Sequence, residues 1–150
     1  QHTLAVRLNA AFDGRRHWVE SAYAQIGPNA DAPATRGCGG TIRELAAALP
    51  HLVRRSDGQP VSFSTQTLAA VRQQGEEAAS IFPELLLVGL DLVFDIDSNG
   101  VLQPVFLEAN PRPAGLGRSR YLDTSQQGVS TKLWDGLEGQ FDRGAVSHAA

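Results

Sequence analysis

The stretch that decides the fold is Val88-Gly-Leu-Asp-Leu-Val-Phe-Asp-Ile-Asp-Ser-Asn-Gly-Val-Leu-Gln-Pro-Val-Phe-Leu-Glu-Ala-Asn-Pro-Arg-Pro-Ala-Gly-Leu116. Two runs of strand-forming residues flank its Asn99-Gly100 dipeptide. Asn-Gly is the strongest short-range signal of a β-hairpin, because both central residues of a type I′ turn take positive φ. With a two-residue turn, Ser98 pairs with Val101. The sequence therefore predicts an antiparallel hairpin whose register is set by this turn.

The predicted register gathers three oxygen-bearing side chains on one face of the hairpin. Asp91 lies opposite Glu108, and Asn110, two residues further along, shares their face if the strand continues. Opposed carboxylates repel, a cation relieves that repulsion, and two carboxylates with a carboxamide suit Mg²⁺. A solubilising acidic edge is the alternative. The other face is predicted to point into the core; it carries Leu92, Phe94, Ile96, Val105 and Leu107.

Pro104 interrupts the second strand of this hairpin. Its nitrogen cannot donate to the ladder, so it marks either an edge or a bulge. A bulge would shift the register by one residue.

The whole pattern, Gly89-Leu90-Asp91 followed by a hairpin and then Glu108-Ala109-Asn110-Pro111-Arg112, resembles the metal-binding hairpin of the ATP-grasp superfamily. The resemblance implies that Asp91, Glu108 and Asn110 bind Mg²⁺, with Mn²⁺ as a substitute. It also implies that Arg112 is catalytic and stabilises the transferring phosphoryl group or an acyl phosphate. The likeness is good over the later part of the chain and looser at its start.

The fold that the resemblance implies is α+β, an antiparallel sheet of about four to six strands flanked by helices on one face, as in the C-terminal subdomain of an ATP-grasp fold. Residues 1–150 are expected to form a single domain. We expect it to be the C-terminal part of a longer ATP-grasp module, because the chain contains no Met and the family's module is longer. The N-terminal part of the same protein is then an expected partner.

The activity that the resemblance implies is an ATP- and Mg²⁺-dependent carboxylate–amine ligase. A carboxylate attacks the γ-phosphate of ATP and an amine then displaces phosphate from the acyl phosphate, while the protein mostly positions groups and neutralises charge. ATP, a small carboxylic acid and an amine are the expected ligands. Two alternatives remain open: a non-catalytic nucleotide-binding or regulatory module that retains the metal hairpin, and a Mg²⁺-dependent phosphohydrolase. For the latter the sequence shows no convincing nucleophile or base.

Basic and glycine-rich positions outside the hairpin are the candidate nucleotide ligands. Arg36 precedes a glycine-rich turn that includes Gly39 and Gly40, and such turns let backbone N–H groups approach an anion closely. A flexible linker is the alternative. Arg7, on the first predicted strand, either contacts phosphate or is a solvated surface residue.

The chain that follows the hairpin is cationic, with Arg112, Arg118 and Arg120 within nine residues. Anionic substrate and phosphate need countercharge beside a carboxylate cluster, so Arg118 and Arg120 are candidates to bind the substrate carboxylate. A basic surface loop is the alternative. Residues 124–139 are predicted to form a closing helix.

Local signals predict the elements before the hairpin. Asp13-Gly14 indicates a turn between strands at residues 3–11 and 16–25. Thr41-Ile-Arg-Glu44 matches a capping box, so a helix is predicted from Thr41 through Leu49, ending before Pro50.

A second helix is predicted to begin at residues 62–65 and to run to about Ile81. Gly75 weakens its middle by about 1 kcal/mol relative to Ala. We expect its apolar stripe to pack on the sheet; the stripe comprises Leu68, Val71, Ala78 and Ile81.

Composition narrows the class of protein. The 150 residues, 42% of them hydrophobic, fit one globular domain with a substantial core. The net charge of -3 gives no reason to expect nucleic acid or an anionic membrane as a partner, and no apolar run approaches the roughly 20 residues of a membrane span. The single Cys38 excludes an internal disulfide and fits a reducing compartment, so we expect a cytoplasmic location.

Overall fold

The computed structural model describes residues 1–97 and 100–111. Over these residues the chain is α+β, with a five-stranded antiparallel sheet in the order β3-β2-β1-β4-β5. This confirms the predicted class and strand number for the described part of the chain. The helix predicted over 124–139 lies outside it. The elements are β1 (Leu4–Phe12), β2 (His17–Ile26), β3 (Thr41–Glu44), α1 (Leu45–Ala48), α2 (Thr65–Ala79), β4 (Leu87–Ile96) and β5 (Leu102–Asn110), with 3₁₀ turns at Arg36–Cys38 and Leu49–His51.

The first predicted hairpin is confirmed by the pairing of β1 with β2 along their length. The carboxylate of Asp13 accepts hydrogen bonds from the backbone N–H groups of Arg15 and Arg16, at 2.9 and 3.0 Å. Gly14 takes a φ of 92°, which a residue with a side chain rarely adopts. The turn forms at the predicted position because its two requirements, the Asp13 acceptor and the positive φ of Gly14, depend only on neighbouring residues.

The helix predicted to begin at Thr41 begins at Leu45 instead, so that prediction was wrong by about one turn. Thr41–Glu44 form β3 and pair antiparallel with Tyr23–Ile26 of β2. Without β3, this end of β2 would present an unpaired edge of backbone N–H and C=O groups. Pairing of that edge overrides the local capping signal.

The second helix begins where it was predicted. The side chain of Ser64 accepts a hydrogen bond from the N–H of Thr67, whose hydroxyl accepts one from the N–H of Ser64, both at 3.3 Å. The helix ends at Ala79, so the prediction that Ile81 lies on its buried stripe was wrong. Ile81 follows the helix and is 73% exposed.

Helix α2 packs directly on the β1–β2 hairpin through Gly75. A Cβ atom at that position would lie 2.5 Å from Cδ1 of Leu8 and 3.1 Å from Cγ2 of Val19. Gly75 therefore costs helix propensity and in return lets the helix approach the sheet closely. Val71 and Ala79, on the same side of the helix, are also buried.

The β4–β5 hairpin closes one residue earlier than predicted. The N–H of Asp97 donates to the carbonyl of Val101 at 3.1 Å, and the N–H of Gly100 donates to the carbonyl of Asp97 at 3.0 Å. The Asp97 carboxylate also accepts a hydrogen bond from the N–H of Val101 at 2.9 Å, which stabilises the longer loop. Closure by Ser98 and Val101 was therefore wrong; Ser98 and Asn99 lie outside the described residues.

A β-bulge then restores the predicted opposition of the two acidic residues. The register shifts between Leu92 and Asp91, with Leu107 as the additional residue, and Asp91 faces Glu108. The predicted contact is thus correct through two compensating one-residue shifts.

The same shift changes which side chains of β5 point into the core. Val105 and Leu107, both predicted to be core-facing, are 43% and 60% exposed. Phe106 packs against the core instead, and Leu102 is buried. The two-residue period of a strand means that a one-residue shift exchanges its faces.

The sheet has two different faces. Alternate residues of β1, β2 and β4 meet the two helices in the core; the buried members include Val6, Leu8, Ala10, Leu45, Leu49, Val71, Val88, Leu90 and Leu92. The residues between them along the strands, including Arg7 and Asp91, lie on the opposite face. We call that opposite face the polar face.

Candidate functional site

A row of polar side chains crosses the polar face of the sheet. Arg7 on β1 is paired with Tyr23 on β2 and with Asp91 on β4. Asp91 is paired in turn with Glu108 on β5, and Tyr23 with Glu44 on β3. Each strand therefore contributes one member, and we call these five residues the transverse row.

Arg7 and Asp91 form a two-point ion pair at the centre of the row. Nε and Nη2 of Arg7 donate to Oδ1 and Oδ2 of Asp91 at 2.5 and 2.6 Å. Both side chains are mostly buried, 14% and 13% exposed. Burial disfavours the charged guanidinium, but the hydrogen bonds and charge of Asp91 outweigh it, so the pKa of Arg7 is raised above its ordinary value. Arg7 thus neutralises the charge of Asp91 from the β1 side, whereas Glu108 lies on the β5 side of Asp91.

Asn110 joins the two acidic residues at the end of β5. Its Nδ2 donates to Oε1 of Glu108 at 2.9 Å and to Oδ2 of Asp91 at 3.2 Å. This amide hydrogen bond, with the nearby charge of Arg7, lowers the pKa of Glu108 below its ordinary value. Asp91, Glu108 and Asn110, predicted as one group from the sequence, are brought together with Arg7.

A second polar row lies beside the first. Asn9, two residues along β1 from Arg7, is paired with Ser21 on β2 and Gly89 on β4. Asn110 is the partner of Gly89 on β5. Asn9 donates from Nδ2 to Oγ of Ser21 at 2.9 Å, and both side chains are buried.

The acceptors in this cluster are carboxylate and carboxamide oxygens, the type of ligand that hard divalent cations prefer. A carboxylate offers about four acceptor positions, and Arg7 and Asn110 use three of those on Asp91. Glu108 is exposed, and Asn110 would present Oδ1 after rotation of its amide. In the described part of the chain, no three His, Cys, Asp or Glu side chains are grouped to hold a metal. The candidate site therefore depends on the carboxamide as well as the two carboxylates.

The glycine-rich loop lies at the other edge of the sheet. It leads into β3, which is three strand spacings of about 4.8 Å from β4. The N–H groups of Gly39 and Gly40 donate to the carbonyls of Arg36 and Thr35, at 3.1 and 3.0 Å. A Cβ at Gly40 would lie 2.8 Å from a carbonyl oxygen of β2, so Gly40 has a packing role. This conformation directs both N–H groups into the loop, and Arg36 is exposed beside it.

Three arginines with predicted roles lie outside the described residues: Arg112, predicted to be catalytic, and Arg118 and Arg120, predicted to bind the substrate carboxylate. Asn9, Ser21 and Tyr23 were not predicted from the sequence to be site residues. The available signal was the two-residue spacing of Arg7 and Asn9, which places both on one face of a strand.

A cavity of about 380 Å³ lies away from this site. Its walls include Leu4, Ile26 and Leu52, which pack against the core on the helical side of the sheet. His51 and Arg55 are among its polar lining residues. Among residues 1–97 and 100–111, none of the predicted site residues lines it.

The helices in the described part of the chain are too short or too polar to cross a membrane. The chain matches no protein-family model, and no match to it was found among curated proteins or solved structures. The resemblance to the ATP-grasp superfamily therefore rests on the residues of the hairpin alone.

Proposed function

We propose that the protein is an ATP- and Mg²⁺-dependent carboxylate–amine ligase that works through an acyl phosphate, and that its fold is the C-terminal subdomain of an ATP-grasp module. The observation that carries the proposal is the convergence of Asp91, Glu108 and Asn110 on the polar face, where Arg7 holds Asp91. A carboxylate pair with a carboxamide is a donor set for Mg²⁺, with Mn²⁺ as a substitute.

In this proposal each residue has a separate task. Asp91, Glu108 and Asn110 hold the metal, which when bound neutralises phosphate charge. Arg7 fixes the carboxylate of Asp91 by two hydrogen bonds, so the position of that ligand is set before nucleotide binds. Arg7 offsets the charge of one carboxylate. Both Asp91 and Glu108 are therefore needed for the cluster to keep a net negative charge that attracts the metal.

The roles of the other predicted site residues are proposed from the family resemblance. Arg112 would stabilise the phosphoryl group, and Arg118 and Arg120 would bind the substrate carboxylate. Arg36 would contact phosphate through its exposed guanidinium. For Gly39 and Gly40 to contribute backbone N–H groups, the loop would have to release its internal hydrogen bonds.

A non-catalytic nucleotide-binding or regulatory module is the second candidate. The two-point Arg7–Asp91 pair favours it, because Arg7 engages both oxygens of Asp91 and leaves fewer acceptor positions for the metal ions of catalysis. Such a module would bind MgATP through the same residues without turnover.

The test compares the full-length protein with its Glu108→Gln variant. Phosphate release from MgATP is measured with panels of carboxylic acids and amines, and MgATP binding is measured by calorimetry. We expect the variant to lose turnover on the order of a hundredfold or more, since even residues that only support metal ligands change activity 10–100-fold. Glu77→Gln, on the exposed side of α2, is the matched control and should leave turnover unchanged.

Two results would reject the ligase. Near-normal turnover in Glu108→Gln would remove the hairpin from the chemistry. Binding of MgATP that requires Glu108, with no turnover on any acid and amine pair, would favour the regulatory module.

A further inference from the structure

The cavity of about 380 Å³ on the helical side of the sheet opens to solvent. The paired ends of β1 and β2 line one part of it, through Leu4 and Ile26. The segment that follows α1 lines another part, through Leu52. Pockets that bind small molecules usually measure about 300–1,000 Å³. The cavity is therefore large enough, and open enough, to admit a small ligand.

Hydrogen bonds fix the walls of this cavity. The N–H of Val61 donates to the carbonyl of Leu52 at 3.0 Å, which closes the loop between them. At the β1–β2 wall, the N–H of Gly27 donates to the carbonyl of Thr3 at 3.0 Å. The hydroxyl of Thr3 donates in turn to the carbonyl of Ala32 at 2.6 Å. Because these bonds hold the walls in place, a ligand can bind without first ordering them.

The lining of the cavity combines apolar and basic side chains. Its apolar part includes buried and half-buried residues, namely Leu4, Ile26, Ala48 and Leu52. Its imidazole and guanidinium groups belong to exposed residues and so lie toward solvent; these are His2, His51 and Arg55. Among residues 1–97 and 100–111, no Asp or Glu lines the cavity. This lining favours a ligand with an apolar body and a negative charge.

Arg55 is the group best suited to bind that charge. Its side chain makes no hydrogen bond or ion pair within residues 1–97 and 100–111, whereas Nη2 of Arg54 lies 2.9 Å from the carboxylate of Asp57. An unpaired guanidinium can bind a carboxylate through two parallel hydrogen bonds. His2 has less to offer, because its Nδ1 donates to the carbonyl of Gly27 at 2.8 Å and only Nε2 is left.

We propose that this cavity is a second binding site, which takes a small monocarboxylic acid with an apolar chain or ring. The apolar body lies against Leu4, Ile26 and Leu52, and the carboxylate binds the guanidinium of Arg55. An apolar cavity of about 150 Å³ holds the six carbons of benzene, so this larger one accommodates roughly eight to ten carbons. The site lies on the opposite side of the sheet from the polar face, so it does not depend on the proposed ligase function.

The experiment titrates octanoate into full-length protein labelled at the isoleucine methyl groups and follows the methyl signals by NMR. Ile26 lines the cavity, and the exposed Ile81 that follows α2 is the internal control. We expect a saturable shift at Ile26 and none at Ile81. Butanoate should bind at least about tenfold more weakly, because octanoate has four more CH₂ groups and each one buried contributes about fourfold.

Octylammonium and substitutions of Arg55 test the recognition of charge. Octylammonium has the same chain and the opposite charge, so it should bind more weakly than octanoate. Arg55→Gln should weaken octanoate binding about fivefold, the upper range for an exposed ion pair. Arg15→Gln, at the exposed β1–β2 turn, is the matched control and should have no effect. Arg55→Glu should reverse the preference, so that octylammonium binds more tightly than octanoate.

Several results would overturn the proposal. The absence of a saturable Ile26 shift would show that the cavity is closed to ligands in the full-length protein. Equal binding of octanoate and octylammonium, or equal effects of Arg55→Gln and Arg15→Gln, would show that the carboxylate is not recognised. Loss of octanoate binding in Glu108→Gln would place the acid on the polar face. Normal octanoate binding without any turnover would reject only the ligase.

Discussion

The arrangement of single residues on the polar face is governed by Arg7. Two carboxylates opposed across neighbouring strands would repel, yet Asp91 and Glu108 lie face to face. Arg7 offsets the repulsion by its two-point contact with Asp91, and the amide of Asn110 donates to both carboxylates. Stability and the candidate function therefore depend on the same four side chains.

Replacing Arg7 by methionine should destabilise the protein by roughly 3–5 kcal/mol, because Asp91 would keep a mostly buried, uncompensated charge. Urea unfolding at pH 7 gives the difference. The matched control is Arg54→Ala, whose ion pair with Asp57 is 42% and 43% exposed and should contribute less than about 1 kcal/mol. Adding Asp91→Asn to the Arg7 variant should recover part of the loss. Equal effects of the two arginine substitutions would contradict the buried-pair interpretation.

Glu108 should make stability depend on pH in the acid range. Its folded-state pKa is lowered from the ordinary 4.5, so its stabilising contribution is present above about pH 4.5 and is lost as the pH falls through the folded-state pKa. In Asn110→Ala the pKa of Glu108 should rise toward 4.5, since the amide donor is gone. NMR titration of the Glu108 carboxyl group measures both values. An unchanged pKa in the variant would show that the amide is not the cause.

At the scale of elements, two β-bulges flank the polar cluster. One shifts the β1–β2 register between Asn9 and Ala10, and the other shifts β4–β5 between Asp91 and Leu92. At the first, the side chain of Glu76 on α2 accepts a hydrogen bond from the N–H of Val19 at 3.2 Å. Bulges redirect side chains locally and are frequent beside functional sites.

Gly75→Ala tests the contact between α2 and the sheet. An exposed glycine in a helix would gain about 1 kcal/mol from this change, but here the new Cβ would meet Leu8 at 2.5 Å. Because Leu8 is fully buried, we expect a loss of about 1–3 kcal/mol from overpacking. Denaturant midpoints give the sign, and Gly75→Ala with Leu8→Val should recover part of the loss. If Gly75→Ala alone were more stable than the unsubstituted protein, the core would be shown to rearrange around the new Cβ.

At the scale of the whole molecule, β1 is the central strand of the described sheet. It pairs with β2 on one side and β4 on the other, whereas β3 and β5 are the outer strands. The Arg7–Asp91 pair therefore joins β1 and β4, two strands that each hydrogen-bond to a neighbouring strand on both sides.

Native-state hydrogen exchange should follow this order. Amide hydrogens of β1 should exchange most slowly, and those of β3 and β5 fastest among the strands, because an outer strand can open without breaking the rest of the sheet. Exchange measured by NMR or mass spectrometry at pH 7 ranks them. Protection in β5 equal to that in β1 would mean that its outer edge is covered in solution.

The sequence by itself determined the features that depend on neighbouring residues. The Asp13-Gly14 turn and the start of a helix within residues 62–65 were predicted correctly because turn geometry and capping act over a few positions. The same reasoning grouped Asp91, Glu108 and Asn110, since one hairpin contains all three.

Only the tertiary structure decided the rest. Arg7 is 84 positions from Asp91, and nothing local indicates that β1 pairs with β4. The bulge that exposes Leu107 and the edge pairing that turns Thr41–Glu44 into a strand also arise from contacts with other elements. In each case the free energy of pairing and packing between distant segments exceeded a local preference of about 1 kcal/mol.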